Sequence, residues 1–275
     1  MSRIVSDSSC DIHELEGADF ISVPMHIYTD ERSFLDDADL DVKEMTDYLA
    51  AYKGRSYSSC PNIEAWLKAF EGAEEIFAVA LTSGLSGAYN AAMNAKEMYL
   101  QEHPLAKVHV FDTLTTGPEQ CLLVEKLAEL KAKGLSFEEI CEQGTEYLKH
   151  TQLLYMMKSV HNFVMNGRIN KVIGAAIGAF NIRIICSVSP SGTVEPISKV
   201  RGDKKTVADL VKQLKSFGFT SGKINMTHVL NPELAEEIKA AVLKEFPKAQ
   251  IKIYPSGGLC SYYAEPGGIL MGVEL

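Results

Sequence analysis

The sequence predicts an α/β protein whose first half is built on an open, mostly parallel sheet, and three observations carry that expectation. Ile76 to Leu81 is a continuous apolar run, the pattern of a strand covered on both faces. It passes through Thr82-Ser83-Gly84-Leu85-Ser86-Gly87 into a helix whose Tyr89, Ala92, Met93, Tyr99 and Leu100 fall near one face, interrupted by Lys96. The same succession of short strand, hydroxyl-rich turn and helix recurs through the first half, and ligands of such sheets bind beyond the carboxyl ends of the strands.

Taken in order, Arg3 to Val5 is a short strand that leads into the polar turn Ser6-Asp7-Ser8-Ser9-Cys10-Asp11, which serves as a loop and helix cap or as a binding turn. Phe20 to Ile27 reads as a second strand. The acidic segment Asp30 to Asp41 ends by capping a helix with Val42, Met45, Leu49 and Tyr52 at three- and four-residue spacing. Asn62 is placed as N-cap of a helix burying Ile63, Trp66, Leu67 and Phe70. Val108 to Phe111 is another strand, followed by helices over about Glu119 to Lys133 and Ser136 to Lys149, the second opened by a Ser136/Glu139 capping box.

Composition changes near His150, which sets the expected units at 1–150 and 151–275. Leu153 to Met157 resembles a strand, Val160 to Met165 a short helix, Asn166-Gly167-Arg168 a helix-ending turn, and Val172 to Phe180 a small-residue helix. Ile182 to Ser189 and Thr193 to Val200 form a hairpin-like pair ahead of an amphipathic helix over Lys204 to Phe217. Lys223 to Val229 and Ala249 to Tyr254 are strands flanking a helix over Glu233 to Phe246, and Ile269 to Val273 is the last strand.

Composition excludes several functions. Of 275 residues 46% are hydrophobic, enough for one large or two ordinary cores. A net charge of −9 argues against nucleic acid or an anionic membrane surface as the main partner. The N-terminus lacks an apolar signal core, and Val172 to Phe180 is too short to span a bilayer, so a soluble cytoplasmic chain is expected. Six widely spaced cysteines include no C-x-x-C pair, so no zinc site and no disulfide framework are expected.

The turn from Thr82 to Gly87 opens a helix, where main-chain N–H groups lack intrahelical partners and carry partial positive charge. No residue from Ile76 to Ala95 is charged and no G-x-x-x-x-G-K-[ST] pattern occurs, so a single carboxylate suits the turn better than a nucleotide. The bland alternative is an ordinary strand-to-helix turn with Ser86 as cap. Ser56 to Ile63 is a second uncharged hydroxyl cluster before a helix, able to converge on the same carboxylate. Taken alone, Arg168 reads as a solvated or carbonyl-capping arginine ahead of a functional one, and Arg201, Lys204 and Lys205 as a solvated helix start ahead of a docking patch for an acidic partner. No catalytic constellation emerges. Gly84-Leu85-Ser86-Gly87-Ala88 departs from G-x-S-x-G, the histidines contain no H-E-x-x-H pair, Asp36-Asp37 reads as a solvated acidic pair, and His161 and His228 are isolated.

Read together, Ser6-Asp7-Ser8-Ser9, Ser58-Ser59-Cys60-Pro61-Asn62, Leu81-Thr82-Ser83-Gly84-Leu85-Ser86-Gly87, Val110-Phe111-Asp112-Thr113, Asn166-Gly167-Arg168-Ile169, Lys199-Val200-Arg201-Gly202 and Pro266-Gly267-Gly268 resemble the DegV family. These are bacterial fatty-acid-binding proteins that serve as acyl-carrying subunits of a fatty acid kinase, and the likeness covers nearly the whole chain. The resemblance implies two α/β domains of the EDD fold with a long-chain fatty acid, such as palmitate or oleate, in a tunnel between them. It implies that Ser58, Ser83 and the Gly84 N–H hold the carboxylate with Ser59 beside them, that Arg168 lies near the head group, and that Arg201 docks the kinase. It implies no catalytic nucleophile, cofactor or metal. Two departures stand out: Cys60 replaces a glutamine, and Tyr263 replaces a histidine near the last glycine motif, trading a titratable cation for a neutral hydroxyl. The alternatives are a stand-alone acyl or phosphoryl transferase and a fatty-acid-dependent sensor or adaptor.

Overall fold

The computed structural model describes residues 1–169 and 181–275; the Val172 to Phe180 stretch lies outside the described residues. The first sheet contains β1 (Ser2–Asp7), β2 (Phe20–Val23), β6 (Glu75–Ala80) and β7 (Lys107–Asp112) in the order β2-β1-β6-β7, every pair parallel. Both faces are covered, which is why β6 reads as an unbroken apolar run. On one face Trp66 and Phe70 of α2 (Ile63–Phe70) and Ala92 and Tyr99 of α3 (Ala88–Glu102) pack on Val5, Ala78 and Val110. On the other, Leu122, Leu123 and Leu127 of α4 (Gly117–Ala132) and Ile140 of α5 (Phe137–Leu148) pack on Ile4, Phe77, Val79 and Phe111.

The second half forms a mixed sheet of β8 (Thr151–Met157), β9 (Ile182–Val188), β10 (Val194–Arg201), β11 (Gly222–His228), β12 (Ala249–Pro255) and β13 (Ile269–Glu274), ordered β10-β9-β8-β13-β11-β12. Only β11 and β12 run parallel, because a crossover helix, α8 (Pro232–Glu245), joins them. That helix and α7 (Asp203–Ser216) bury Leu210, Leu214, Leu234 and Ile238 against Leu154, Met156, Ile224 and Met271. The opposite face receives α4. A Cβ at Gly272 would lie 2.3 Å from the Glu119 main-chain nitrogen, so glycine lets the first turn of α4 rest on β13. Held between two sheets, α4 buries every residue from Gly117 to Val124, Glu119 and Gln120 included.

Local signals set the helix starts as expected. The side chain of Asp41 accepts from Glu44 N at 2.9 Å at the head of α1 (Val42–Ala51), Asn62 accepts from Ala65 N at 2.8 Å, and Ser136 with Glu139 forms the capping box. One expected strand is corrected. Phe20 to Ile27 is not continuous but divides at Pro24, which has no N–H to donate to a ladder. Its second part, β3 (His26–Tyr28), belongs to a separate antiparallel sheet between β4 (Ser33–Leu35) and β5 (Tyr57–Ser59).

Candidate functional site

A cavity of about 240 Å³ lies beyond the carboxyl end of β6, between the parallel sheet and the mixed sheet. Its wall is largely hydrocarbon: Met25, Leu81 and Leu85 from the first half face Leu153, Met157 and Leu270 from the second, with Phe163 and Leu259 alongside. The polar lining comprises Ser58, Ser59, Thr82, Ser86, Thr116, Arg168 and Tyr263, together with the buried Tyr155 and the thiols of Cys60 and Cys260. A guest therefore meets an apolar wall with a minority of polar groups in it.

Each polar group has an identifiable support. Ser58 sits on β5, paired with Ile27, and its Oγ lies 2.8 Å from the Tyr263 hydroxyl, either atom being able to donate. Tyr263 belongs to α9 (Gly258–Ala264), a helix the sequence reading did not assign. Its ring packs at 4.8 Å between centroids on Phe163 of α6 (His161–Met165). Burial pushes the Tyr263 phenol above its ordinary value against the opposing Ser58 bond and Arg168 charge, so it stays protonated at neutral pH. Arg168 follows the turn at Gly167, whose φ of 72° suits a residue without Cβ, and its N–H bonds back to the Phe163 carbonyl at 2.8 Å. The guanidinium donates from Nη1 to Asn166 O at 2.7 Å and from Nε to Leu85 O at 3.4 Å. Both acceptors are neutral, so these bonds leave its charge available to an anion.

The glycine loop is arranged differently from the expectation. Ser83 and Gly84 are exposed and do not line the cavity, whereas Thr82 and Ser86 do. The Ser83 N–H is held by Asp112 Oδ1 at 3.0 Å and the Gly84 N–H by Thr82 Oγ1 at 3.1 Å. The buried Thr82 hydroxyl donates to Gly192 O at 2.9 Å, which seats the tip of the β9–β10 hairpin on the loop. A Cβ on Gly84 would stand 2.3 Å from the Ser191 carbonyl oxygen, so what approaches this glycine closely is the hairpin main chain rather than a ligand. Gly84→Ala is accordingly expected to cost about 1–3 kcal/mol as the hairpin tip shifts, read by thermal denaturation. An unchanged melting temperature would refute that contact.

Two carboxyls from the first half anchor α9. Asp36, fully buried, accepts from Ser8 Oγ at 2.7 Å, Gly258 N at 2.5 Å and Leu259 N at 3.0 Å. Asp11 accepts from Gly257 N at 2.9 Å and Thr227 Oγ1 at 3.2 Å. Free N–H groups at a helix start favour such anionic acceptors. Burial raises the Asp36 carboxyl, opposed chiefly by the Ser8 bond; burial and the neighbouring Asp36 charge push Asp11 up to about 7. Glu119, bonded by the Thr115 and Thr151 hydroxyls, is likewise pushed up by burial to about 7. Asp36-Asp37 is thus not a solvated acidic pair: Asp36 is interior, tying the chain's two halves together.

The structure brings Ser58, Ser59, Arg168 and Tyr263 to one cavity, and Arg201 lies exposed at the end of β10, outside its lining. Sequence reasoning passed over Thr82 and the support of α9. Thr82 carried the right residue type, but its burial under the hairpin had no local signal. Among the described residues no group of three or more His, Cys, Asp or Glu is placed to hold a metal, and no helix is long and apolar enough to cross a membrane.

Fold and cavity define the class: an α/β protein enclosing an apolar cavity whose polar lining is hydroxyls, two phenols, two thiols and one arginine. A family model described as "Uncharacterised protein, DegV family" matches residues 1–273. The chain belongs to the DegV family. A DegV domain-containing protein of Streptococcus pneumoniae is 43% identical over 99% of this chain and 99% of that one. Among solved structures, a DegV family protein from Eubacterium eligens loaded with heptadecanoic acid is 44% identical, with a TM-score of 0.98 over 100% of this chain and 99% of that chain. The Fatty Acid Kinase B3 protein of Streptococcus pneumoniae, loaded with linoleic acid, is 43% identical, with a TM-score of 0.97 over the same shares.

Proposed function

We propose that this chain encloses one long-chain fatty acid, its hydrocarbon in the cavity between the two sheets and its carboxylate among Ser58, Ser59, Ser86, Tyr263 and Arg168, and presents that head group to a partner fatty acid kinase. The observation that carries this reading is the cavity itself, apolar along most of its wall and furnished with hydroxyls beside a guanidinium whose charge is available. The loaded relatives support the same ligand class. Withdrawing about fifteen CH₂ groups from water at roughly 0.8 kcal/mol each offers on the order of 12 kcal/mol before ordering costs, far more than one hydroxyl contributes. Affinity thus resides in the tail and orientation in the polar lining. The proposal keeps the units at 1–150 and 151–275, a cytoplasmic location, Arg201 as the kinase-docking residue, and chemistry performed by the kinase rather than by a nucleophile of this chain. Ser83 and Gly84, on the outer side of the loop, serve the head group through the loop's shape.

Native mass spectrometry of the purified chain is expected to show one bound fatty acid, or uptake of palmitate or oleate after delipidation. A chain that stays empty under both conditions overturns the proposal. Ser58→Ala is expected to weaken palmitate binding roughly three- to tenfold, the scale of one neutral hydrogen bond, and an unchanged dissociation constant would remove Ser58 from the head-group site.

A further inference from the structure

Tyr262 does not line the cavity, yet its hydroxyl is the hub beneath it. The side chain is 1% exposed, packed with Ile27, Phe34 and Met45. Its oxygen lies 2.9 Å from Ser56 Oγ and accepts from Asn166 Nδ2 at 2.9 Å. In the Tyr262–Ser56 pair either hydroxyl can donate, whereas toward Asn166 the phenol oxygen is the acceptor. The same Asn166 donates to Asn162 O at 2.9 Å, and its own carbonyl receives Arg168 Nη1 at 2.7 Å. The main-chain carbonyl of Tyr262 takes a second bond from this segment, Asn162 Nδ2 at 2.7 Å, and Glu265 Oε1 accepts from Asn162 N at 3.1 Å. α6 and the turn after it are therefore clipped to α9, and the carbonyl that steers the arginine belongs to the residue Tyr262 holds.

We infer that Tyr262 is a positioning residue: through Asn166 it sets where the Arg168 guanidinium stands, and so the preference of the cavity for a carboxylate over an uncharged head group. The inference rests on the fatty-acid reading above. Geometry separates it from plain packing. Tyr262→Phe keeps the ring and its apolar neighbours, and both groups it abandons, Ser56 and Asn166, are only half-buried, so water can replace the lost bonds. What water does not restore is a fixed place for the Asn166 carbonyl, and a charge-assisted contact depends on placement.

The test uses the delipidated full chain with palmitate and 1-hexadecanol, which share a tail and differ in charge. Tyr262→Phe is expected to weaken palmitate roughly five- to tenfold and hexadecanol less than about twofold, and Asn166→Ala, cutting the same link from the other side, to do likewise. Tyr262→Phe combined with Arg168→Met is expected to bind palmitate no worse than Arg168→Met alone. Equal weakening of both ligands, or losses that multiply in the double variant, overturns the positioning role. A wild-type chain that does not distinguish palmitate from hexadecanol overturns the head-group reading and the inference with it. A wild-type preference that persists in Tyr262→Phe and Asn166→Ala overturns the inference alone.

Discussion

Asp36→Ala is expected to lower the stability of the chain by about 3 kcal/mol, and its melting temperature by roughly 5–10 °C. The carboxyl is fully buried and accepts three hydrogen bonds, so its removal leaves the Ser8 hydroxyl and the Gly258 and Leu259 N–H groups facing a space with no acceptor. Two of those donors are the first turn of α9, which carries Tyr263. Ser8 Oγ also accepts from Met25 N at 3.0 Å, so the loss reaches a cavity-lining residue on the opposite wall. Palmitate binding should therefore weaken together with stability. The exposed Asp39, three residues away, is the control, and its alanine variant should melt within about 1 °C of the wild type. Equal melting of Asp36→Ala and wild type would show that Asp36 does not anchor the helix.

The second large effect is a stability that falls as pH rises from 6 to 8. Asp11 and Glu119 are each pushed up to about 7 by burial, while an unfolded carboxyl titrates near 4. Between those values the folded chain holds protons that the unfolded chain has lost, so unfolding releases protons and stability declines with rising pH until the folded groups have ionised. Asp7 and Asp36, also raised by burial, act in the same direction. His109 and His228, lowered by burial, oppose them once pH drops below about 6.5, because the unfolded chain then binds the extra protons. Denaturant titrations should show stability already falling between pH 5 and 7, with a loss of about 2 kcal/mol between pH 6 and 8 that is reduced by roughly half in Glu119→Gln. A chain equally stable or more stable at pH 8 would contradict protonated interior carboxyls.

The cost of these buried acids is set against what they hold. Asp11, Asp36 and Glu119 all bond across the junction between the chain's two halves or at its edge, through Thr227 and Gly257, through Gly258 and Leu259, and through Thr151. Apolar substitutes would pack there without a desolvation cost, but would leave the N–H groups opening α9 unpaired. The carrier reading of the family depends on that junction, since the cavity lies in it.

The sequence by itself determined the parallel strands of the first sheet, the helix starts at Asp41, Asn62 and Ser136, the hairpin of β9 and β10, and the family, because each is written in residues a few positions apart. A cap needs an acceptor and an N–H two or three residues on, and a doubly covered strand needs only an unbroken apolar run. Ser58, Ser59, Arg168 and Tyr263 were legible as candidates through the family's motifs, but not their convergence. The tertiary structure alone decided that Pro24 divides one apparent strand between two sheets, that Ser86 rather than Ser83 faces the cavity, that Asp36 is interior while Asp39 is not, and that Tyr262 stands behind Arg168. Each of those depends on partners far away in the chain, such as Gly192 for Thr82 and Gly258 for Asp36. A side chain's direction within a loop is set by what packs against that loop, and such contacts form only when distant segments meet.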